Sequence, residues 1–532
     1  MATLFTVRRI CLSQFRSESI ARIAVALLAA GSFWLEYAVG VWPHMVSAFF
    51  AVQAFWFALR HLDSGGKEYR YAVLSGLMAG VGILFRLDAA LAVPAIGLMI
   101  VLFAPRLVRS SCCFAAGVLP SLALLAGFNY LKFGTPNPFS YGRPGGNTDL
   151  AAYSAMFAAL CVGFGAVVLW RKLGWKVDRT RALGSVAVLS VALLLIPATS
   201  ALLLKFWDGL LTLVVDVRNL EDHRLGIERG PGNTLVAWGQ TRKSLGQSMP
   251  WIGLGAMALT SPLQKENQRL FAMLFIFIAA MSMPFILLSW HGGGGSNMRY
   301  FLPVLPALSI LCAKLISDLW TSVPKGMTFL AAGVWGIVGL CFAWTMYHPS
   351  RFAGVQQILS TYLLLVTALT AIAAGVHWRF RQAARRLAIA IFAAGVVMST
   401  SFAVSDFAEA VERRASNYSG RLVLASLPPK SLVIAYSDWV GDRMPGNGSI
   451  IAARDEWTRR VDQQLILNAL DAGYRVFMVS VEFDASSDVP AGVEPLATGY
   501  PSPAGPMIEL RHRTRQQPTR TKSPLRSSEP SE

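Results

Sequence analysis

The chain has 532 residues, 54% hydrophobic and only 15% charged, against about 25% charged in soluble globular proteins, so much of it has no water to face. A formal net charge of +18 would suggest nucleic acid in a soluble protein. Here the basic residues fall in alternate short loops between apolar runs, which excludes a nucleic-acid partner and points to a lipid bilayer.

Residues 1–22 carry Arg8, Arg9 and Arg16 ahead of an apolar run. No small-residue cleavage site follows, so this start reads as a signal-anchor-like helix and not as a removed peptide. Thirteen candidate spans follow: 23–41, 43–59, 71–86, 88–104, 112–131, 151–170, 184–204, 249–261, 269–290, 300–318, 327–346, 356–376 and 387–405. Residues 270–290 contain no charge over 21 positions, and residues 183–204 none over 22. A helix needs about 20 apolar residues to cross the hydrocarbon layer, and in lipid only helices or closed barrels satisfy the backbone. The runs lack period two, so helices are expected.

Arg86-Leu87-Asp88 breaks a long apolar run, and a hairpin or re-entrant pair there preserves the charge pattern. The loops on one side hold 22 Lys and Arg, and those on the other hold 11, six of them beside five acids in 205–250. This positive-inside bias places the N-terminus in the cytoplasm. It leaves 132–150, 205–248, 291–299 and 347–354 as outer loops. The six cysteines avoid those loops and show neither a disulfide framework nor metal-ligand spacing. No internal repeat is visible.

From about residue 408 the composition changes. Residues 431–438 read as a strand. Residues 455–472 read as a helix with Trp457, Val461, Leu465 and Ala469 on one face and Gly473 as its stop. Residues 475–481 read as a second strand, so the two strands of this βαβ unit should be parallel. The expected fold is an all-α polytopic membrane protein of about 11–13 transmembrane helices with a small C-terminal α/β (βαβ) extracytoplasmic domain. Its expected parts are a cytoplasmic N-terminus (1–22), a helical membrane domain (23–407), the α/β domain (408–512) and a disordered tail (513–532) rich in Arg, Ser, Pro, Thr and Gln.

Several residues carry candidate chemistry. Arg86 and Asp88 are ionisable groups at the end of a membrane hairpin, where charge is costly. They suit a phosphate contact and an orienting or basic carboxylate, or a structural ion pair capping two helix ends. The segment Asn129–Tyr141 mixes aromatics with Lys132 and two prolines, and suits a substrate lining or a lipid-belt anchor. His291-Gly-Gly-Gly-Gly-Ser-Asn-Met-Arg299-Tyr300 could offer backbone N–H groups and Arg299 to an anion at a helix start, or be a plain loop. It is not a P-loop, since no Gly-Lys-Ser/Thr follows.

Glu36, Asp88, Asp149, Asp208, Asp216, Glu221, Asp222 and Glu228 are outer acids that could serve as a general base, although solvated charge is the commoner reading of each. His223 is weak evidence for a metal. The C-terminal unit lacks Gly-x-Gly-x-x-Gly, so no nucleotide site is read there.

Leu74-Ser-Gly-Leu-Met-Ala-Gly-Val-Gly-Ile-Leu-Phe-Arg-Leu-Asp88, Phe133-Gly-Thr-Pro-Asn-Pro and Arg299-Tyr-Phe-Leu-Pro-Val-Leu-Pro306 together resemble the C-type integral-membrane glycosyltransferases, of the aminoarabinose and protein-mannosyl transferase kind. The likeness covers roughly residues 20–405. It implies a polyprenyl-phosphate-linked sugar as donor and inverting transfer to a glycan, lipid or protein acceptor on the outer side of a bacterial cytoplasmic membrane.

By position, the resemblance gives Arg86, Lys132 and Arg299 to the donor phosphate. It gives Tyr141 and Tyr300 to the sugar or lipid pocket; the reading of the residues themselves adds His291 to the binding residues and Asp88 as the candidate catalytic carboxylate. It names no cofactor and leaves a divalent metal open. Relatives carry an acidic motif just after their first membrane helix, whereas here only Trp42-Pro43 separates the first two spans. The resemblance therefore expects a misplaced start, a truncated product or a non-catalytic membrane partner. A transporter or flippase is the other class, but the inverted repeats and midplane charge pairs it calls for are not seen.

Overall fold

Stretches without charge cannot leave backbone groups unpaired in lipid, so they close into helices. The computed structural model describes residues 1–39, 43–139, 154–173, 197–220, 227–230, 233–237, 240–260, 267–292, 296–346, 349–376, 381–435, 450–453, 463–479, 489–500 and 506–513. It divides into two compact units, Met1–Ala410 and Val411–Glu532.

The first unit opens with α1 (Ala2–Phe15), which ends at left-handed Arg16. Next comes α2 (Glu18–Ala29), whose N-cap Ser17 accepts from Ile20 N at 3.3 Å. The expected span 23–41 is not one helix. The Ser32 hydroxyl donates to the Leu28 carbonyl at 2.6 Å and accepts from Trp34 N. The chain turns there and resumes as the short α3 (Trp34–Val39). Trp251 Nε1 donates to the Gly31 carbonyl and fixes the break.

The helices α4 (His44–Asp63), α5 (Tyr69–Phe85), α6 (Ala92–Phe103) and α7 (Leu107–Phe133) follow. Between α5 and α6 the chain passes through extended Arg86 and a 3-10 turn, Leu87–Leu91. Arg106, just after α6, donates to the hydroxyl of Tyr69 at the start of α5. The two helices therefore run antiparallel, as the hairpin reading required. Helices α5 and α7 touch through small residues: a Cβ on Gly76 would lie 2.0 Å from the Phe114 carbonyl oxygen, and one on Gly117 2.1 Å from that of Val73. Such residues let backbones approach where water supplies no driving force.

Then come α8 (Ser154–Lys172) and α9 (Pro197–Leu210). The expected outer loop 205–248 carries regular structure: a three-stranded antiparallel sheet of β1 (Ile227–Gly230), β2 (Thr234–Ala237) and β3 (Gln240–Thr241). Gln357 fastens it by accepting from Leu235 N and donating to the Leu235 and Arg242 carbonyls.

Residues 249–261 are not one α-helical span either. The chain runs through α10 (Leu245–Ser248), a 3-10 stretch (Pro250–Ala256) and α11 (Met257–Thr260). Gly246 and Gly253 bring this stretch against Leu364 and Thr367, so it is an internal strut.

Four long helices close the unit: α12 (Gln268–Leu287), α13 (Leu305–Thr321), α14 (Lys325–Met346) and α15 (Pro349–Gly375). Then α16 (Arg381–Ser426) continues well past the expected span 387–405. Among the described residues, six helices are long and apolar enough to cross a membrane, and shorter apolar ones accompany them. The chain is an integral membrane protein with a polytopic helical body.

The second unit holds β4 (Ser431–Ala435), β5 (Ile450–Ala453), α17 (Gln463–Asp471), β6 (Arg475–Val479), β7 (Val493–Ala497) and β8 (Met507–His512), with sheet order β5-β4-β6-β8-β7. As expected, β4 and β6 are parallel. The sequence reading missed β5, which is parallel to β4, and the antiparallel β7 and β8. Leu432, Ile434, Ile466, Val476, Met478 and Leu510 form its core. Glu509 is buried there between Arg475 and Arg511. Burial raises its pKa, but the two guanidiniums outweigh burial and hold it below the ordinary value. The expected tail beyond Arg513 lies outside the described residues.

Candidate functional site

The breaks in the helices gather polar side chains at one end of the bundle. Arg86 ends α5, His44 starts α4, and Arg299 and Tyr300 begin a 3-10 turn, Arg299–Val304, that leads into α13. Tyr300 is the hub. The Arg86 guanidinium lies 5.3 Å from its ring centre and that of Arg299 5.4 Å. His44 packs on it edge-on at 5.8 Å and Phe285 at 4.8 Å. Aromatic faces hold guanidiniums well when water is thin.

Asp88 accepts from Arg86 Nε at 2.8 Å, with both side chains mostly buried. Gly292 has a left-handed φ of 99°, and a Cβ there would fall 2.5 Å from Tyr300 Cδ2. Only glycine lets this backbone lie flat against the ring.

Beside this cluster is a buried polar network. Asn297 Nδ2 donates to Glu36 Oε2 at 2.7 Å and to Asp406 Oδ2 at 2.5 Å. The Lys243 ammonium donates to both oxygens of Asp406, at 2.8 and 2.7 Å. The Ser248 hydroxyl donates to Asn297 Oδ1, and the Tyr37 hydroxyl to the Asn297 carbonyl. Glu36, Lys243, Asn297 and Asp406 are all between 1% and 6% exposed, so this network has little access to water. The Tyr37 ring lies 6.2 Å from His44, which connects the network to the Tyr300 cluster.

A second group of polar side chains seats the β1–β3 sheet nearby. Gln247 donates to Asp216, Thr361 and the Gln357 carbonyl. Asp216 also binds Arg218 and raises that guanidinium's pKa.

The structure thus brings together four of the expected residues: Arg86, Asp88, Arg299 and Tyr300. His291 is 2% exposed, and its Nε2 donates to the Lys243 carbonyl at 3.0 Å, so it braces the loop from inside. Lys132 stands exposed at the end of α7, with its ammonium 5.0 Å from the Phe133 ring. No contact joins it to Arg86 or Arg299 among the described residues. The Phe133-Gly-Thr-Pro-Asn-Pro segment turns at left-handed Gly134, and the Asn129 side chain folds it back by donating to the Asn137 carbonyl.

Tyr141, Asp149, Glu221, Asp222, His223 and Gly293–Gly295 lie outside the described residues. Among those described, no three His, Cys, Asp or Glu side chains are placed to hold a metal ion. Of the two carboxylates that meet at Asn297, Asp406 is paired with the Lys243 ammonium. Sequence reasoning noted Glu36 only as one acid of eight and missed His44, Lys243, Asn297 and Asp406. The one signal available for Asp406 was a carboxylate at the edge of an apolar run.

The fold and this site define a polytopic membrane protein with two arginines and buried carboxylates gathered at one end of its helices. Residues 1–130 match the model of the dolichyl-phosphate-mannose-protein mannosyltransferase family. That region contains the first of the three motifs that resemble membrane glycosyltransferases. Among the solved structures similar to the chain are two of ArnT from Cupriavidus metallidurans. The structure bound to undecaprenyl phosphate shares 15% identity, covers 96% of this chain and 82% of its own, and has a TM-score of 0.44. The apo structure shares 13% identity, covers 96% and 93%, and has a TM-score of 0.33. These likenesses are remote. No curated protein matches.

Proposed function

We propose that this chain is a membrane glycosyltransferase that moves a sugar from a polyprenyl-phosphate carrier to an acceptor on the extracytoplasmic side. The observation that carries the reading is the convergence of Arg86 and Arg299 on the ring of Tyr300. Two fixed guanidiniums beside an aromatic face, at the end of lipid-embedded helices, suit a phosphate whose tail lies in the bilayer. The family match over residues 1–130 and the motif resemblance support the same reading.

In the reaction, a hydroxyl of the acceptor attacks the anomeric carbon from the face opposite the phosphate, and its proton is released to water as the new bond forms. The bond from sugar carbon to phosphate oxygen breaks, and the phosphate leaves with the electron pair. A single displacement of this kind inverts the configuration. The leaving phosphate gains negative charge, which Arg86 and Arg299 stabilise in a site poor in water. Asp88 is bonded to Arg86, and we assign it the orientation of that guanidinium.

The test is sugar transfer in vesicles holding the full chain, with polyprenyl-phosphate-linked hexoses and pentoses as donors. Arg86→Ala and Arg299→Ala should each abolish transfer while inserting normally. Transfer at the unmodified rate in both variants would sink the assignment.

A further inference from the structure

Asn297 lies two residues before Arg299, and its side chain and carbonyl are fully engaged. Its amide nitrogen donates to Glu36 on α3 and to Asp406 on α16. Its amide oxygen accepts from Ser248 at 2.6 Å, and its carbonyl accepts from Tyr37 at 2.9 Å. One residue earlier, the Ser296 carbonyl accepts from Lys243 N at 3.0 Å, and the Lys243 ammonium binds Asp406 in turn. Three chain segments remote from one another in sequence thus grip one asparagine.

The placement has a physical purpose. Arg86 and Arg299 approach the same ring, and like charges repel strongly where water is thin. Asp88 offsets the charge of Arg86, but a loosely held loop would still let Arg299 wander from the ring. A buried polar network with its members bonded is rigid, and this one ends two residues from the guanidinium.

We propose that Asn297, held by Glu36, Tyr37, Ser248 and the Lys243–Asp406 pair, is a positioning residue that fixes Arg299 for the phosphate of a lipid-linked donor. The proposal rests on the carrier reading above. Asn297 itself touches no substrate; it acts through the backbone that leads to Arg299.

The test is a double-mutant cycle on the affinity of the detergent-solubilised full chain for undecaprenyl phosphate. It compares the unmodified chain, Asn297→Ala, Arg299→Ala and the double variant. Asn297→Ala should weaken binding by about 10- to 100-fold, the scale of a misplacement of about 1 Å. In the Arg299→Ala background the same change should weaken it by less than about twofold, because the group it positions is gone. A structural role unrelated to Arg299 would weaken binding equally in both backgrounds, and that result overturns the proposal. Should Asn297→Ala fail to fold, Ser248→Ala loosens the same amide by one hydrogen bond, and its cycle with Arg299→Ala decides in the same way. No binding by the unmodified chain would remove the carrier reading and the clamp's role with it. Binding by the unmodified chain with an additive cycle would remove the clamp alone.

Discussion

The pair Lys243–Asp406 gives a prediction whose size follows from its surroundings. The ammonium meets both carboxylate oxygens at 2.8 and 2.7 Å, and the two side chains are 2% and 8% exposed. The Phe402 ring also lies 4.9 Å from the ammonium. Replacing Asp406 by Leu leaves a buried ammonium without its counter-charge and an Asn297 amide short of one acceptor. Breaking a buried pair from one side costs about 3–5 kcal/mol, and the lost acceptor adds about 1 kcal/mol.

Lys243→Met alone should cost a similar amount, because it strands the carboxylate. The double variant Lys243→Met/Asp406→Leu removes both charges, and an apolar replacement of such a pair is commonly neutral or stabilising. It should therefore unfold within about 2 kcal/mol of the unmodified chain, the residual being the Asn297 acceptor. The assay is reversible unfolding of the full chain in mixed micelles, read by circular dichroism. Single costs that simply add in the double variant would refute the pairing, since coupled residues must show a large interaction energy.

Two further outcomes are expected. Gly292→Ala forces an L side chain into a left-handed backbone, at about 1–2 kcal/mol, and drives its Cβ to 2.5 Å from Tyr300 Cδ2. Under the proposed function, affinity for undecaprenyl phosphate should fall by about tenfold or more as the ring shifts, whereas unchanged affinity would separate Tyr300 from the proposed phosphate site. In the second unit, the Glu509 carboxyl is held below its ordinary value by Arg475 and Arg511. A depressed folded-state pKa gives stability that is present above the unfolded value of about 4.3 and is lost as pH falls through the folded one. Hydrogen-exchange protection of β6 and β8 in the full chain should therefore decline below about pH 4.3, and Glu509→Gln should flatten that dependence. Protection equal from neutral pH down to acid would show that the carboxylate contributes nothing.

What the sequence disclosed follows from the range of each interaction. Apolar runs report membrane helices directly, because every residue of the run obeys the same solvent. The Arg86-Leu87-Asp88 break was legible for the same reason: charge amid apolar residues has few uses. Ser32 was not legible, since a serine ends a helix only when its hydroxyl reaches Leu28 and Trp34 together, and nothing in the local pattern requires it. The sheet of β1 to β3 was read as loop because its strands are four residues or shorter and depend on Gln357, more than a hundred positions away. Asn297 was passed over as part of a glycine-rich loop, and its importance appears only when α3 and α16 arrive from distant parts of the chain.

The same distances explain why Asp88 and Glu36 exchanged prominence. Asp88 drew attention because it neighbours an arginine in sequence, and that arginine is what occupies it at 2.8 Å. Glu36 sits in a short helix made by a break that no composition reveals, and it shares one amide with Asp406 from the far end of the unit. A carboxylate beside its own arginine is suited to holding that arginine still. Two carboxylates drawn to one amide, one of them paired with the Lys243 ammonium and both with little access to water, make a rigid buried arrangement that a surface acid does not. Under the proposed function, the first arrangement holds Arg86 for a phosphate ligand, and the second stiffens the loop that presents Arg299. On this division of labour, charge-preserving changes at Asp88 should act on Arg86 alone, while any change at Glu36 should reach Arg299 through Asn297.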